Sequence, residues 1–350
     1  YARKNFTGND GQQEGYVRYD TTLLITREDD ATTLSAGDVN SDALSWTSSV
    51  RMGGISYGRD FSLRPDLVTW PLPEFSGEAA VPTSVDLFIN GYRSGSTQLQ
   101  PGPFTLTNLP YINAAGDAVL VTTDALGRQV STTLPFYVTS DLLKQGLSDG
   151  AVTLGSLRRS YGIRNFDYGP AAGSGSYRYG VTDWLTLEGH AEGAQELALG
   201  GAGTVIKLGQ FGVVNTSYSQ SRMRGDNGGQ INWGYQYNTS EFSVATQHTR
   251  RDRGFGNLAL YDQPTVYDEN DKPIASFSRN TDQYSLTFNM GQYGNIGAAW
   301  IGVESFDGQK TELLNLSWSR NLWGASSIYL AGSRDQQRGD WTVALSLQVP

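Results

Sequence analysis

The feature that most constrains this chain is a two-residue alternation of apolar and polar side chains, repeated in stretch after stretch. Ile231, Trp233, Tyr235 and Tyr237 alternate with Asn232, Gly234, Gln236 and Asn238, the period of a pleated strand with one apolar and one polar face. The same spacing carries Tyr284, Leu286, Phe288 and Met290, then Leu314, Leu316 and Trp318, then Trp341, Val343, Leu345, Leu347 and Val349. Such an apolar face packs on a second sheet in a soluble sandwich, or on lipid in a membrane barrel whose polar face lines water. Periodicity alone leaves both open.

Composition separates them. The chain carries 42 Gly, 19 Tyr, 13 Phe and 8 Trp with only 17% charged residues, and no run approaches the 18 or so apolar residues of a membrane helix. Aromatics recur near predicted strand ends, at Trp184, Phe211, Tyr293 and Trp323, where the girdle of a barrel would meet the lipid interface. Connections fall into two classes. Gly209 to Gly212, Gly291 to Asn295 and Arg320 to Gly324 read as tight turns, while Ser219 to Gly229 and Arg250 to Asp282 read as long polar loops, the second with the acidic run Asp268 to Asp271. Short turns at one end and longer loops at the other are the habit of outer-membrane barrels. The expectation is an all-β chain, a partial transmembrane antiparallel β-barrel of roughly 16 strands. The chain starts at Tyr1 without a leader and stops at Pro350 directly after a strand, so both ends read as cut.

One region breaks the pattern. Val85 to Ile89 alternates, Asn90-Gly91 supplies a type I′ hairpin pair, and Tyr92 begins the return strand. Pro101-Gly102-Pro103 breaks the chain again before Phe104 and Thr105, then Ala118 to Thr123 and Gln129 to Val138 read as further short strands. This predicts three parts: 1–80 as the first part of the barrel, 81–138 as a small inserted β-sandwich plug domain of immunoglobulin-like type, and 139–350 as the rest of the barrel. Pro71, Pro73 and Pro82 stiffen the entry to the insertion.

Asn90-Gly91-Tyr92 followed by Pro101-Gly102-Pro103-Phe104-Thr105 resembles the plug signature of the outer-membrane ushers of chaperone–usher pilus assembly. Gly37-Asp38, Arg64-Pro65-Asp66 and the segment Gly254-Phe255-Gly256-Asn257-Leu258 are similar to that family as well. The resemblance implies a pore in the outer membrane of a Gram-negative bacterium, exporting and assembling pilus subunits delivered by a periplasmic chaperone. It implies a plug that closes the lumen at rest, and for Gly254 to Leu258 a short segment capping that plug. The subunit and chaperone–subunit partners would be engaged through periplasmic domains outside this chain. A plugged porin or transporter for small solutes is the alternative.

Motifs that resemble enzyme chemistry have plainer readings. Gly54-Ile55-Ser56-Tyr57-Gly58 matches a nucleophile elbow, but its surroundings alternate as a strand with no helix after it. Glu188, His190 and Glu192 share one strand face. Spaced by two along an extended chain, they span too far for one metal ion and read as a polar lumen wall. Gly201-Ala202-Gly203 starts like a phosphate loop but has Ile206 where a third Gly belongs. Arg158-Arg159 and Arg250-Arg251 with Arg253 are the densest positive clusters, suited to carboxylates of the insertion such as Asp86, Asp117 and Asp124, to lipopolysaccharide phosphates, or equally to plain solvated strand ends. A net charge of −9 argues against nucleic acid, and zero Cys excludes a disulfide scaffold. No enzyme activity, catalytic residue, metal or cofactor is expected.

Overall fold

The computed structural model describes residues 2–5, 15–72, 75–79, 83–89, 92–99, 102–106, 115–124, 129–261, 266–267, 273–274, 278–323, 326–337 and 339–349. Fifteen strands form one antiparallel sheet in which each strand pairs with its neighbour in the chain. In chain order the wall strands are β1 (Thr22–Arg27), β2 (Thr32–Asn40), β3 (Arg51–Arg59), β4 (Ser148–Arg158) and β5 (Tyr168–Thr182). Next come β6 (Leu185–Ala194), β7 (Leu197–Lys207), β8 (Val213–Met223), β9 (Asp226–Asn238) and β10 (Phe242–Arg251). The last five are β11 (Ser278–Asn289), β12 (Asn295–Ser305), β13 (Lys310–Asn321), β14 (Ser327–Asp335) and β15 (Trp341–Gln348). The sheet is open, because its edge strands β1 and β15 do not pair with each other among the described residues.

Alternation sets the two faces. On β6 the buried row is Thr186, Glu188, His190 and Glu192, and the outward row is Leu187, Gly189 and Ala191. The buried row continues across the register through Ser217, Ser219 and Ser221 on β8 and Gln230 and Asn232 on β9. This inner face is polar and covered. The outward face is apolar and bare: Leu154, Tyr177, Tyr218, Ile231, Tyr284, Phe288, Leu316 and Leu345 are all exposed, and Trp341 is 73% exposed. An apolar exterior of that extent is an aggregation hazard in water and the required surface in lipid.

Between β3 and β4 the chain leaves the wall and builds two further sheets. Phe75–Ala79 pairs with Gly102–Leu106, and a four-stranded sheet runs in the order Gln129–Tyr137, Ala115–Asp124, Thr83–Ile89, Tyr92–Leu99. The other turns at this end of the wall are short, and Trp184, Phe211, Tyr293 and Trp323 all sit in them, each more than half exposed. At the opposite end lie the loops 41–50 and 159–167 and the long connection 252–277.

One expectation is corrected. Ser219 to Gly229 is not a long loop: β8 continues to Met223 and β9 begins at Asp226, with Met223 paired to Asp226 around a two-residue turn. Arg224 and Gly225 hold φ of 52° and 95°, the conformation of a primed hairpin turn. The stretch is polar because Ser219 and Ser221 belong to a strand face that is buried and polar.

Candidate functional site

The inner face carries three attachments. The first is the loop 41–50 between β2 and β3, which turns inward. Its neck is closed by hydrogen bonds from Ser41 N to Val50 O (2.8 Å) and from Val50 N to Ser41 Oγ (3.0 Å). At its tip Trp46 is buried against the wall. Its Nε1–H donates to Glu188 Oε2 at 2.8 Å, its carbonyl accepts from Gln230 Nε2 at 3.1 Å, and its ring meets His190 edge-on at 5.9 Å. A Cβ built at Gly201 would lie 2.8 Å from the Trp46 ring, and one at Gly203 would lie 2.7 Å from Nε1. Gly201-Ala202-Gly203 is therefore a cradle for an indole on strand β7. Sequence reading missed Trp46, and a small-x-small pair facing into a barrel was the available signal.

The second attachment is the one-turn helix α1 (Leu258–Tyr261) in the connection after β10. It covers an apolar patch of Val39, Met52, Leu157, Ala172 and Leu197 with Leu258 and Tyr261. The approach to it, Gly254 to Asn257, crosses the β8–β9 turn so closely that a Cβ at Gly228 would fall 2.0 Å from Phe255 N and one at Gly254 2.3 Å from Asn227 O. Gly256 N donates to Ser221 Oγ (2.8 Å), Leu258 N to Glu192 Oε2 (2.6 Å) and the Tyr261 hydroxyl to Gln195 O (2.5 Å).

The third is the exit of the insertion, Phe136 to Leu143, which runs along the inner face at the insertion end. Tyr137 and Leu142 bury against Val205 and Val213, and the Tyr137 ring stacks on Tyr237 at 5.8 Å. Leu143 N donates to Thr186 Oγ1 at 2.9 Å. The Tyr137 phenol is pushed up to about 12, first by burial and then by the nearby Asp141 carboxylate.

These attachments share strand β6. Arg178 Nη2 donates to the Asp141 carbonyl while its Nε donates to Glu188 Oε1 at 3.0 Å. Glu188 thus joins the insertion exit, through Arg178, to the tip of the inward loop. Two residues on, His190 Nε2 lies 3.0 Å from Glu192 Oε1, and Glu192 holds α1 through its other oxygen. Every carboxylate oxygen of Glu188 and Glu192 is in hydrogen-bond contact with another group of the chain. The row is a set of fastenings.

The remaining sequence-predicted positions fall as follows. Asn90, Gly91 and Pro101 lie outside the described residues, as does the acidic run Asp268 to Asp271. Tyr92 opens the strand Tyr92–Leu99, where it pairs with Ile89, and Gly102, Pro103, Phe104 and Thr105 pair with Ser76 to Ala79. Gly254, Phe255, Gly256, Asn257 and Leu258 form the approach to α1 and its first residue, with Phe255 and Leu258 buried. Gly54 to Gly58 lies within the continuous strand β3, where Ser56 Oγ accepts from Thr153 Oγ1 at 2.9 Å. The arginine clusters meet wall carboxylates: Arg158 pairs with Asp38 at 2.9 Å and Arg250 with Asp282 at 2.8 Å. Within the insertion, Asp86 pairs with Arg93, and the Ser96 hydroxyl with the Arg93 guanidinium holds its carboxyl below the ordinary range.

Comparison with known proteins places this geometry. Among solved structures, the translocation pore of the P pilus usher PapC superposes with a TM-score of 0.57 at 19% identity, over 96% of this chain and 69% of that one. PapC in the E. coli P pilus tip assembly intermediate PapC-PapD-PapK-PapG gives 0.69 at 17% identity, over the whole of this chain and 44% of that one. Among relatives, the E. coli usher AfaC is 25% identical over 301 residues, 84% of this chain and 35% of AfaC, and the E. coli usher FaeD is 25% identical over 315 residues, 85% and 38%. The F1 capsule-anchoring protein of Yersinia pestis is 26% identical over 211 residues, 60% of this chain and 24% of its own. The chain thus spans little more than a third of the length of the curated relatives it matches. The family described as outer membrane usher protein matches residues 3–350, and the chain belongs to that family of the Gram-negative outer membrane.

Proposed function

We propose that this chain is the pore segment of an usher that exports and assembles pilus subunits delivered by a periplasmic chaperone, with the insertion 81–138 as the plug of the pore. The strand Phe75–Ala79, which pairs inside the insertion, moves with it. The reading is carried by the fastening on β6: one carboxylate, Glu188, binds the inward loop through Trp46 and the insertion exit through Arg178. A passage for a folded protein must stay shut to small solutes until that protein arrives. A stopper held by polar contacts fits this demand, because its surface and the wall are both wet once it moves. A few kcal/mol of differential binding by the arriving complex is enough to shift such an equilibrium. No step of this action makes or breaks a covalent bond, so the chain acts without catalysis.

Partners supply the test. The full-length parent protein, purified from cells that assemble its pilus, carries along a chaperone bound to a subunit. Recovery of the parent alone under those conditions overturns the export reading in favour of a small-solute porin.

A further inference from the structure

Two of the three attachments share a cavity of about 270 Å³ with the inner face of the wall. The inward loop contributes Trp46, the approach to α1 contributes Phe255 and Asn257, and the wall contributes His190, Ser219 and Asn232. Two charged side chains also line it, and both are engaged within the chain. Glu192 contacts His190 and Leu258 N through its two oxygens, and Arg251 donates to Gln230 Oε1 at 2.6 Å and to Ser278 Oγ at 3.0 Å. A ligand of this cavity therefore need bring no charge.

Neutral polar atoms are the ones that ask for a partner. His190 Nδ1 and Ser219 Oγ are both buried and have no hydrogen-bond partner among the described residues. The His190 side chain is 1% exposed and Ser219 is 2% exposed, and an orphaned polar atom at that depth is costly. Imidazole Nδ1 donates in one tautomer and accepts in the other, while a serine hydroxyl does both. A ligand hydroxyl meets each of these cases, whereas an ammonium only donates and an ionised carboxylate only accepts. Water has the same two-way chemistry, but Trp46, Phe255 and Leu199 add apolar wall that water leaves unused. A pyranose uses both, with hydroxyls around its rim and C–H faces that pack on aromatic rings. The volume falls just below the range of about 300–1,000 Å³ typical of drug-sized sites, room for a single ring.

We propose that this cavity binds one neutral pyranose unit, which ties the inward loop and the approach to α1 to the wall. Because Trp46 and Asn257 come from two separate attachments, the sugar binds only while both are docked and so favours the docked state. Sugar binding by the purified protein is measured without reference to export or gating, so it stands or falls apart from the pore reading.

The test titrates the parent protein, purified in a detergent without a sugar headgroup, with D-glucose, D-galactose and D-mannose, read by saturation-transfer difference NMR. Saturable binding of at least one hexose is expected. Ser219→Ala removes a hydroxyl that has no partner in the described chain, so it is expected to keep the thermal midpoint while weakening the sugar roughly fivefold. Sugar at about ten times its Kd is expected to slow hydrogen exchange at the Leu258 amide roughly tenfold, since opening of that segment dismantles the site. The proposal is overturned by no saturable binding of any of the three hexoses, by glycerol binding as tightly as they do, or by affinity unchanged in Ser219→Ala. Exchange at Leu258 that ignores bound sugar also overturns it, because the sugar then sits elsewhere.

Discussion

A tryptophan on a polar wall needs a partner for its Nε1–H and room for its ring, and position 46 has both in Glu188 and the Gly201–Gly203 cradle. Two substitutions separate these needs. Trp46→Phe keeps most of the ring and removes a hydrogen bond to a charged group, a loss of about 1.5–3 kcal/mol, and the pore is expected to flicker open in planar bilayers. Gly203→Val drives two methyl groups into the indole and is expected to open the pore at least as far. Gly189→Ala on the outward face, where a Cβ meets nothing within 4 Å, leaves conductance unchanged. Equal traces for Gly203→Val and Gly189→Ala would remove Trp46 from the gate. Glu188, His190 and Glu192 were legible as one polar face from spacing alone. Their partners were not, because Trp46 and Leu258 reach them from 142 and 66 residues away in sequence.

The elements that dock on the inner face are short, and their stability comes from what they dock on. Helix α1 has one turn, too short to persist by itself, and it stays because Leu258 N meets Glu192 and Tyr261 and Leu258 cover apolar wall. Glu192→Gln weakens a charge-assisted bond to a neutral one, so hydrogen exchange at the Leu258 amide is expected to accelerate about fivefold. An unchanged rate would mean that apolar cover alone holds the turn. The insertion exit answers to pH. The Tyr137 phenol ionises near 10 when free and at about 12 when docked, so docking is at full strength below pH 10 and weakens as pH climbs from 10 through 12. Ultraviolet difference titration of wild type against Tyr137→Phe is expected to show one missing ionisation near 12, and a midpoint near 10 would contradict docking. Strands were the legible elements, since alternation reports directly on a wall with one polar and one apolar face. The β8–β9 turn was hidden because Arg224-Gly225 does the work usually signalled by Asn-Gly.

On the scale of the molecule, the wall is an amphipathic sheet with its polarity reversed from that of a soluble protein: serines, glutamates and amides inside, leucines and aromatics outside. Composition and period were enough for that reversal; chain length suggested roughly 16 strands, against 15 in the open sheet of the described residues. The change of texture at 81–138 falls in the stretch where the described strands leave the wall to build two separate sheets. Where that stretch docks was not legible, because docking depends on side chains at its exit, Tyr137 and Leu142, that read as an ordinary strand end. The three attachments make one claim, that the insertion 81–138 and the inward loop keep a wide passage shut through β6. Single-channel recording of the full-length parent with and without residues 81–138 tests it most directly. The intact protein is expected to show a low resting conductance and the deletion a conductance several-fold larger, whereas equal conductances would contradict the gate.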